Sequence, residues 1–343
     1  MDSDTRIGYL GIDVGSVSTN LVILDEHAAV VAAIYRRTQG QPIKAVQEGM
    51  RELLELLDDQ KIEVRAVGAT GSARHLTGII VGSDVVKNEI TAHAVAASQV
   101  IPDVRTVLEI GGQDSKLIVL RDGIVTDFAM NSVCAAGTGS FLDHQSARLG
   151  IPIEDFGGYA LESEHPAHIA GRCSVFAESD MIHKQQVGVA IEDIIYGLCH
   201  ALVRNYINNL GKGKALLEPM VFQGGVAANA GMKRAFEETI GLEVVVPVHY
   251  DVMGAIGSAI LAMELALEPG ETRFKGFNMS DLVYETSTFG CNGCSNTCEV
   301  VRIKVDGKTL ARWGGRCGKW EAEDEAATAR LKTKAKAKAT VNG

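Results

Sequence analysis

Apolar residues form short runs that end in turns of small residues, a pattern that predicts strands delivering polar side chains to turns. Residues 9–25 predict a strand, a turn and a second strand, with Asp13 at the end of the first strand. Residues 106–120 repeat this plan around a Gly/Asp/Ser turn. Two such hairpins in one chain indicate a duplicated lobe with a cleft between the copies.

Through the rest of the chain, stretches with apolar residues at helical spacing alternate with apolar runs typical of strands. Apolar positions at helical spacing predict helices at residues 45–57, 89–100 and 187–210, and small residues predict a helix from Gly254. Apolar runs predict strands at residues 64–71, 85–86 and 244–246, and a strand from residue 220 that breaks into a glycine turn. The alternation is typical of the α/β class.

Composition narrows the possible functions. The 343 residues carry a formal net charge of −10, which argues against broad nucleic-acid binding. No apolar run reaches transmembrane length and the N-terminus lacks a signal-peptide pattern, so we expect a cytoplasmic protein that does not engage a membrane. In that compartment the seven cysteines are expected to be ligands, reactive thiols or core residues rather than disulfides.

Two cysteines stand at predicted helix starts. Cys134 precedes a glycine-rich turn, in which Gly137, Thr138 and Gly139 are expected to turn backbone N–H groups toward a phosphate. Cys173 precedes Ser174, an expected N-cap. A lone cysteine of this kind could equally be a buried structural residue. Two together favour a shared metal site, and a two-fold dimer would supply the four thiols of an iron–sulfur cluster.

Turns of small and polar residues outline a candidate nucleotide site. Asp13 is expected to hold Mg²⁺ through water, beside a first turn whose backbone can approach phosphate closely. Gln113 and Asp114 are expected to face Asp13, as water-positioning and metal-holding groups. The remaining expected contacts to the nucleotide are Gly15, Ser16, Ser18, Gly112, Gly224, Gly225, Val226, Asn229 and Gly254.

The C-terminal region contains a third set of cysteines. Cys291, Cys294 and Cys298 are spaced CxxCxxxC, and a predicted hairpin around residues 306–307 would return Cys317 to them. Four thiols in so small a unit favour zinc or an iron–sulfur cluster, with redox-active or inert thiols as the alternatives. Residues 321–343 predict a basic disordered tail.

Over residues 7–265 the chain resembles the acyl-CoA dehydratase activase family, which is the BadF/BadG/BcrA/BcrD type of ATPase. The resemblance rests on the motifs at residues 11–16, 110–114, 134–139 and 224–226, and on Cys173. It implies the ATPase fold of actin, sugar kinases and heat-shock chaperones. It also implies a homodimer with one bridging 4Fe–4S cluster, for which Cys134 and Cys173 stand at the ligand positions.

One residue departs from the family pattern. The family's first turn usually ends in lysine, whereas this chain has Asn20, so Lys116 is expected to supply the positive charge. The expected lobes are residues 1–98, completed by a helix at 252–268, and residues 99–251. The Cys-rich appendix is expected at residues 269–320.

The resemblance implies an ATPase coupled to low-potential electron transfer. ATP hydrolysis would drive single electrons from the bridging cluster to a partner iron–sulfur dehydratase or reductase, with ferredoxin or flavodoxin as donor. One alternative is an ATP-dependent reductase of a double-cubane-type protein. Another is a small-molecule kinase on the same fold, which gives no reason for Cys134 and Cys173. A third is a non-enzymatic redox or metal sensor that uses the C-terminal cysteines.

Overall fold

The structure is a computed structural model that describes residues 5–58, 60–305, 307–317, 319–320 and 322–323. Its strands are β1 (Arg6–Val14), β2 (Ser18–Leu24), β3 (Val30–Arg37), β4 (Ile62–Thr70), β5 (Val85–Val86), β6 (Thr106–Ile110), β7 (Ser115–Arg121), β8 (Ile124–Asn131), β9 (Met220–Gln223), β10 (Tyr284–Gly290), β11 (Glu299–Val305), β12 (Lys308–Trp313) and β13 (Ala322–Glu323). Its α-helices are α1 (Pro42–Leu57), α2 (Arg74–Val81), α3 (Glu89–Val100), α4 (Gly139–Leu149), α5 (Phe156–Glu162), α6 (Ser174–Gln186), α7 (Ile191–Tyr206), α8 (Ala230–Ile240) and α9 (Met253–Met263).

The first compact unit is built on a five-stranded sheet in the order β3-β2-β1-β4-β5. β1 pairs antiparallel with β2 and parallel with β4. The predicted apolar face of α1 is buried on this sheet, and Met50 and Leu53 share a core with Leu10 and Ile12. Proline is accommodated in the first turn of α1, because the N–H that it lacks would have no partner within the helix there.

The second compact unit repeats the arrangement with a sheet in the order β8-β7-β6-β9. β6 pairs antiparallel with β7 and parallel with β9, as β1 pairs with β2 and β4 in the first unit. Helix α7 supplies much of the core, including Ile195, Leu198 and Leu202. The predicted α/β class and the two matching hairpins are therefore confirmed.

The C-terminal strands form a third sheet, antiparallel in the order β10-β11-β12-β13. Its buried residues Ile303, Val305 and Leu310 lie in the same core cluster as the first sheet. The Gln47 amide of α1 also donates to the carbonyls of Ser280 (3.1 Å) and Leu282 (2.8 Å). The segment expected to be a separate appendix thus shares the core of the first unit, which supplies the apolar contacts that its own sequence lacks.

The contacts divide the chain differently from the predicted boundaries. One unit comprises the chain up to Gly15, Thr19–Lys87 and everything from Ser258 onward. The other comprises Ser16–Ser18 and Asn88–Gly257, so α3 belongs to the second unit and the division falls within α9. The predicted basic tail lies outside the described residues, apart from the two residues of β13.

Two predicted elements differ in the structure. The helix expected over residues 187–210 begins only at Ile191, because Gly188 adopts a left-handed φ of +79° after α6 ends. It then loosens into a π turn at Ile207–Gly211. Residues 244–246 form no strand, and only the bridge between Val221 and Val245 joins them to the sheet.

Among the described residues, no helix combines the length and hydrophobicity needed to cross a membrane.

Close packing of small residues fixes α9 against α3, and this predicts the effect of a single methyl group. A Cβ at Gly257 would lie 1.8 Å from the carbonyl oxygen of Ala92, so Gly257→Ala must displace backbone. We expect it to lower the free energy of unfolding by about 3 kcal/mol in chemical denaturation. The matched control is Gly158→Ala on α5, where a Cβ meets nothing within 4 Å and we expect stabilisation by about 0.5 kcal/mol. If the two substitutions changed the free energy of unfolding equally, the close packing of Gly257 on Ala92 would be contradicted.

Candidate functional site

Lys116 on β7 is the centre of a buried ionic network. Its side chain is 2% exposed, and its ammonium nitrogen lies 2.9 Å from a carboxylate oxygen of Glu109, 3.0 Å from Asp114 and 3.3 Å from Glu89. Glu109 is directly opposite Lys116 in the β6–β7 pairing, whereas Asp114 belongs to the turn between these strands. Lys116 is therefore held by carboxylates, which corrects the expectation that it supplies a free charge to phosphate.

Burial decides the protonation states within this network. Burial raises the pKa of Glu109 to about 8, although the Lys116 ammonium opposes the shift. Burial alone would lower the pKa of Lys116, but the three carboxylates together raise it, so the ammonium stays charged. His93 of α3 is buried beside the network, and burial together with Lys116 lowers its pKa to about 3. Its Nδ1 lies 2.8 Å from Nε2 of Gln223 on β9.

Two glycine turns lie close to the Glu109 carboxylate. A Cβ at Gly111 would lie 3.3 Å from Glu109 Oε1, and a Cβ at Gly224 would lie 2.8 Å from the same oxygen. Gly224 also adopts a φ of +89° and packs on the carbonyl of Ile110, so only glycine fits there. The structure thus brings together the predicted turns at residues 110–114 and 224–226, and it adds Glu109, which the sequence analysis missed.

The start of α4 is joined to the first of these turns. The backbone N–H of Gly139 donates to the Gly111 carbonyl (2.9 Å), and that of Ser140 to the Gly112 carbonyl (2.8 Å). The Ser140 hydroxyl donates to the same Gly112 oxygen (2.5 Å). The N–H groups of Gly137 and Thr138 bond to the carbonyls of Cys134 and Ala135. Of the N–H groups expected to face a phosphate, that of Gly139 thus holds α4 on the Gly111–Gly112 turn, whereas those of Gly137 and Thr138 close the short turn after Cys134.

The other expected nucleotide contacts stand in different surroundings. Asp13 is half-buried at the end of β1, with its carboxylate against Gly71, while Gly15 and Ser16 lie in the turn that follows and Ser18 begins β2. Gln113 and Gly225 are exposed, and Val226 is buried.

Asn229 and Gly254 were expected to line the nucleotide. Asn229 caps α8 through its side-chain oxygen, and its amide nitrogen has no hydrogen-bond partner within the described part of the chain. Gly254 is buried in α9, a helix whose Gly257 packs on protein backbone in α3.

Both Cys134 and Cys173 lie in loops that are fixed to the last turns of α7. The Asn205 amide nitrogen lies 3.9 Å from the Cys134 sulfur and 2.6 Å from the carbonyl of Gly171, two residues before Cys173. Gly171 packs so tightly on α7 that a Cβ would lie 2.7 Å from the Ala201 carbonyl. One buried side chain therefore bridges the two cysteine loops.

A second asparagine fixes the Cys134 loop from the other side. The Asn131 side chain accepts from the N–H of Cys134 (2.9 Å) and donates to its carbonyl (2.8 Å). Cys134 occupies the N-cap position of a short 3-10 turn, Ala135–Gly137. Cys173, and not Ser174, occupies the N-cap position of α6, because α6 already begins at Ser174. Both thiols are half-buried.

Large apolar side chains beside the two cysteines face solvent. Val133 is 96% exposed, Val175 67% and Phe176 66%. Exposed apolar groups of this size are typical of protein–protein contact surfaces.

The C-terminal cysteines gather at one end of the third sheet. Cys291, Cys294 and Cys298 lie in the loop between β10 and β11, and Cys317 follows β12. Cys294 and Cys317 are exposed, Cys298 is half-buried and Cys291 is buried. Across the described ranges, no three His, Cys, Asp or Glu side chains already stand at metal-binding geometry.

Two units of matching topology, each with a polar turn after its first strand, define a duplicated α/β nucleotide-binding protein. The family model that matches residues 10–262 is that of the BadF/BadG/BcrA/BcrD ATPase family, and the chain belongs to this family. The resemblance predicted from the motifs is thereby confirmed.

Similar proteins agree with this assignment. The (R)-2-hydroxyglutaryl-CoA dehydratase activating ATPase of Acidaminococcus fermentans is 36% identical over 262 residues, which are 75% of this chain and 97% of that protein. The crystal structure of the (R)-2-hydroxyglutaryl-CoA dehydratase component A from Acidaminococcus fermentans matches with a TM-score of 0.70 and 34% identity, over 76% of this chain and 99% of that one. The activator of the 2-hydroxyisocaproyl-CoA dehydratase from Clostridium difficile, with bound ADPNP, matches with a TM-score of 0.70 and 30% identity, over 76% and 95%. The predicted ATPase fold is therefore confirmed.

The raised pKa of Glu109 predicts a pH dependence of stability. Burial raises the pKa of Glu109 in the folded protein, whereas the unfolded chain loses this proton near the ordinary value of 4.5. The free energy of unfolding should therefore fall as pH rises above about 4.5, by up to on the order of 1 kcal/mol per pH unit more in the native chain than in Glu109→Gln. Chemical denaturation at pH 5, 6.5 and 8 measures this difference.

Glu89→Gln is the matched control, because it removes a more exposed carboxylate from the same ammonium. This variant should keep the dependence of the free energy of unfolding on pH that the native chain shows. If Glu109→Gln also keeps the native slope, Glu109 is ionised throughout and the assignment is wrong.

Proposed function

We propose that this protein is an ATP-dependent activator that drives single-electron transfer from a dimer-bridging 4Fe–4S cluster to a partner iron–sulfur enzyme. The proposed partner is a 2-hydroxyacyl-CoA dehydratase or a benzoyl-CoA-type reductase. Support for a dehydratase comes from the relatives, whose names describe activators of such enzymes. Support for the coupling comes from the contacts of α4.

The observation that carries the proposal is the short connection between Cys134 and the Gly111–Gly112 turn. From Cys134 the chain runs through one 3-10 turn to Gly139 and Ser140, which donate three hydrogen bonds to the Gly111 and Gly112 carbonyls. A displacement of that turn moves the start of α4 unless these bonds break. These bonds are the proposed route by which nucleotide binding at the turn is transmitted to the Cys134 loop.

The nucleotide is assigned to the turns around Glu109. Asp114 would hold Mg²⁺, and the exposed Gln113 beside it would orient the attacking water. For Asp13, holding Mg²⁺ through water stays a prediction from the sequence. Gly224 and Gly225 are proposed to contact the base and ribose through their backbone, and the unpartnered amide nitrogen of Asn229 is a donor for them.

Cys134 and Cys173 fit the ligation of a cluster. Their loops are fixed by the buried Asn205, and both thiols are half-buried and so reach the surface. A cluster needs four thiolates and this pair supplies two, so a second copy of the chain completes the set. The exposed Val133, Val175 and Phe176 adjoin these cysteines and would be covered by the second copy. When bound, the cluster supplies the one-electron redox chemistry.

Asn205 and Asn131 act on the ligand loop. Asn205 directs an N–H toward the Cys134 sulfur, and hydrogen bonds to ligand sulfurs tune the reduction potential of a cluster. Asn131 holds the Cys134 backbone from both sides. A one-electron donor of the ferredoxin or flavodoxin type is proposed to reduce the cluster again after each transfer.

Replacing either proposed ligand should separate metal binding from nucleotide binding. We expect Cys134→Ser and Cys173→Ser each to lower iron by about four per dimer and to abolish the bridging electron paramagnetic resonance signal, with the affinity for ADP changed less than about twofold. Iron analysis, spectroscopy and calorimetry on anaerobic protein measure these effects. Cys199→Ala is the control, since Cys199 is fully buried on α7 and should keep the iron. Native iron content and signal in either ligand variant would refute the assignment.

Removing the exposed Gln113 amide, in the turn between β6 and β7, should slow ATP hydrolysis. Gln113→Ala is expected to reduce the turnover number at least tenfold, since the amide acts on the attacking water more than on bound ATP. The affinity should change by less than about 1.4 kcal/mol. Gln186→Ala, at an exposed position of α6, is the matched control. Weakened ATP binding at unchanged turnover would show that Gln113 contacts the nucleotide instead.

A further inference from the structure

The C-terminal sheet brings four cysteines to one end, and we propose that Cys291, Cys294, Cys298 and Cys317 bind a thiophilic metal centre, either zinc or an iron–sulfur cluster. This site lies outside residues 10–262, over which the chain matches its family. All four thiols belong to one chain, so the site does not depend on the bridging cluster.

The backbone of the loop draws three of the cysteines together. β10 and β11 pair antiparallel up to Gly290 and Glu299, so residues 291–298 form the connection between them. Within it the N–H of Cys291 donates to the carbonyl of Cys298 (2.8 Å). The N–H of Thr297 donates to the carbonyl of Cys294 (3.3 Å), which closes a turn that begins at the middle cysteine.

The end of β12 carries the fourth cysteine to the same place. Trp313 pairs with Val301, and Gly314 then turns with a φ of +103°, so close to β11 that a Cβ would lie 2.8 Å from the Glu299 carbonyl. The following residues fold over the loop. A Cβ at Gly293 would lie 3.5 Å from the Cys291 sulfur and 3.7 Å from the Lys319 ammonium. The sequence between Gly314 and Lys319 contains Cys317.

Aromatic and cationic groups surround this end of the sheet. Trp320 packs edge-on against Phe289 of β10 at 5.1 Å between ring centroids. Lys319 and Arg312 each lie over the Trp320 ring, at 5.4 and 5.8 Å. Four thiolates around a divalent metal carry a net negative charge, and these cations offset it.

Exposure of the thiols favours a ligand role over an inert one. Free cysteine is among the most buried residue types, yet Cys294 and Cys317 are exposed. The loop at residues 292–297 is exposed throughout and has no apolar residue to fix it. A cysteine has a single side-chain torsion before its sulfur, and the proposed site requires the two exposed thiols to turn toward Cys291 and Cys298.

The test uses the full chain, because the C-terminal sheet shares its core with the first unit and its removal would expose that core. In a Cys134→Ser, Cys173→Ser background the bridging cluster is eliminated. Metal analysis and absorption spectra of this protein should show about one zinc, or about four iron, per chain. Adding Cys294→Ser and Cys317→Ser should remove that metal, whereas adding Ser295→Ala in the same exposed loop should keep it.

Thiophilic metal below about half an equivalent per chain in the background protein would overturn the proposal, as would metal that survives both serine substitutions. A second measurement uses the native protein. Cys294 and Cys317 should resist alkylation until a strong chelator is added, as read by peptide mapping. Immediate alkylation of both, or a disulfide between any two of the four, would equally overturn the proposal.

Discussion

The carbonyl oxygens of Gly111 and Gly112 accept three hydrogen bonds from the first turn of α4, and the proposed function depends on these bonds. They join the turn that carries Gln113 and Asp114 to the helix that follows Cys134. Small residues are required on both sides, since a Cβ at Gly139 would lie 3.0 Å from the Gly111 oxygen. In the proposed function, a nucleotide-dependent change in the turn and a change in the cysteine loop are therefore one movement.

The buried ionic network around Lys116 holds the strands that flank the Gly111–Gly112 turn in place. Lys116 is paired with Glu109, Asp114 and Glu89 in surroundings of low dielectric, where leaving any charge unpaired is costly. Asp114 is the most exposed of the three carboxylates, so it can exchange the ammonium for another cation with the least loss. Glu109 and Glu89 then continue to hold Lys116, and the strands keep their positions.

Patterns within one segment were predictable from the sequence. Both hairpins followed from apolar runs that end at small turns, as did α1 and the glycine turn after β9. The long helix was misjudged because the apolar period of α7 continues backward across Gly188, where the backbone breaks. Residues 244–246 were predicted as a strand because three consecutive valines favour that state locally, yet the sheet offers them only one bridge.

Contacts between segments were harder to predict. Glu109 and Lys116 lie at equal distances from the centre of the β6–β7 turn, and that symmetry in otherwise apolar strands was the available signal for their pairing. Asn131 stands three residues before Cys134 and bonds to it locally, but nothing in the local sequence connects Asn205 to Cys134, because the position of Asn205 depends on how α7 packs beneath the loops. The partners of the N–H groups at Gly137–Gly139 were also hard to predict, since Gly137 and Thr138 bond within the Cys134 loop whereas Gly139 bonds to Gly111 in another segment.

The coupling between nucleotide and cysteine loop can be measured on the reduced, anaerobic dimer. Electron paramagnetic resonance spectra are recorded without nucleotide, with ADP and with a non-hydrolysable ATP analogue, at saturating concentrations. The coupling predicts that the signal changes shape between the ADP and ATP-analogue states, because the Cys134 loop moves with the Gly111–Gly112 turn. A native signal that is identical in all three states, in protein shown by calorimetry to have bound the nucleotide, would contradict it.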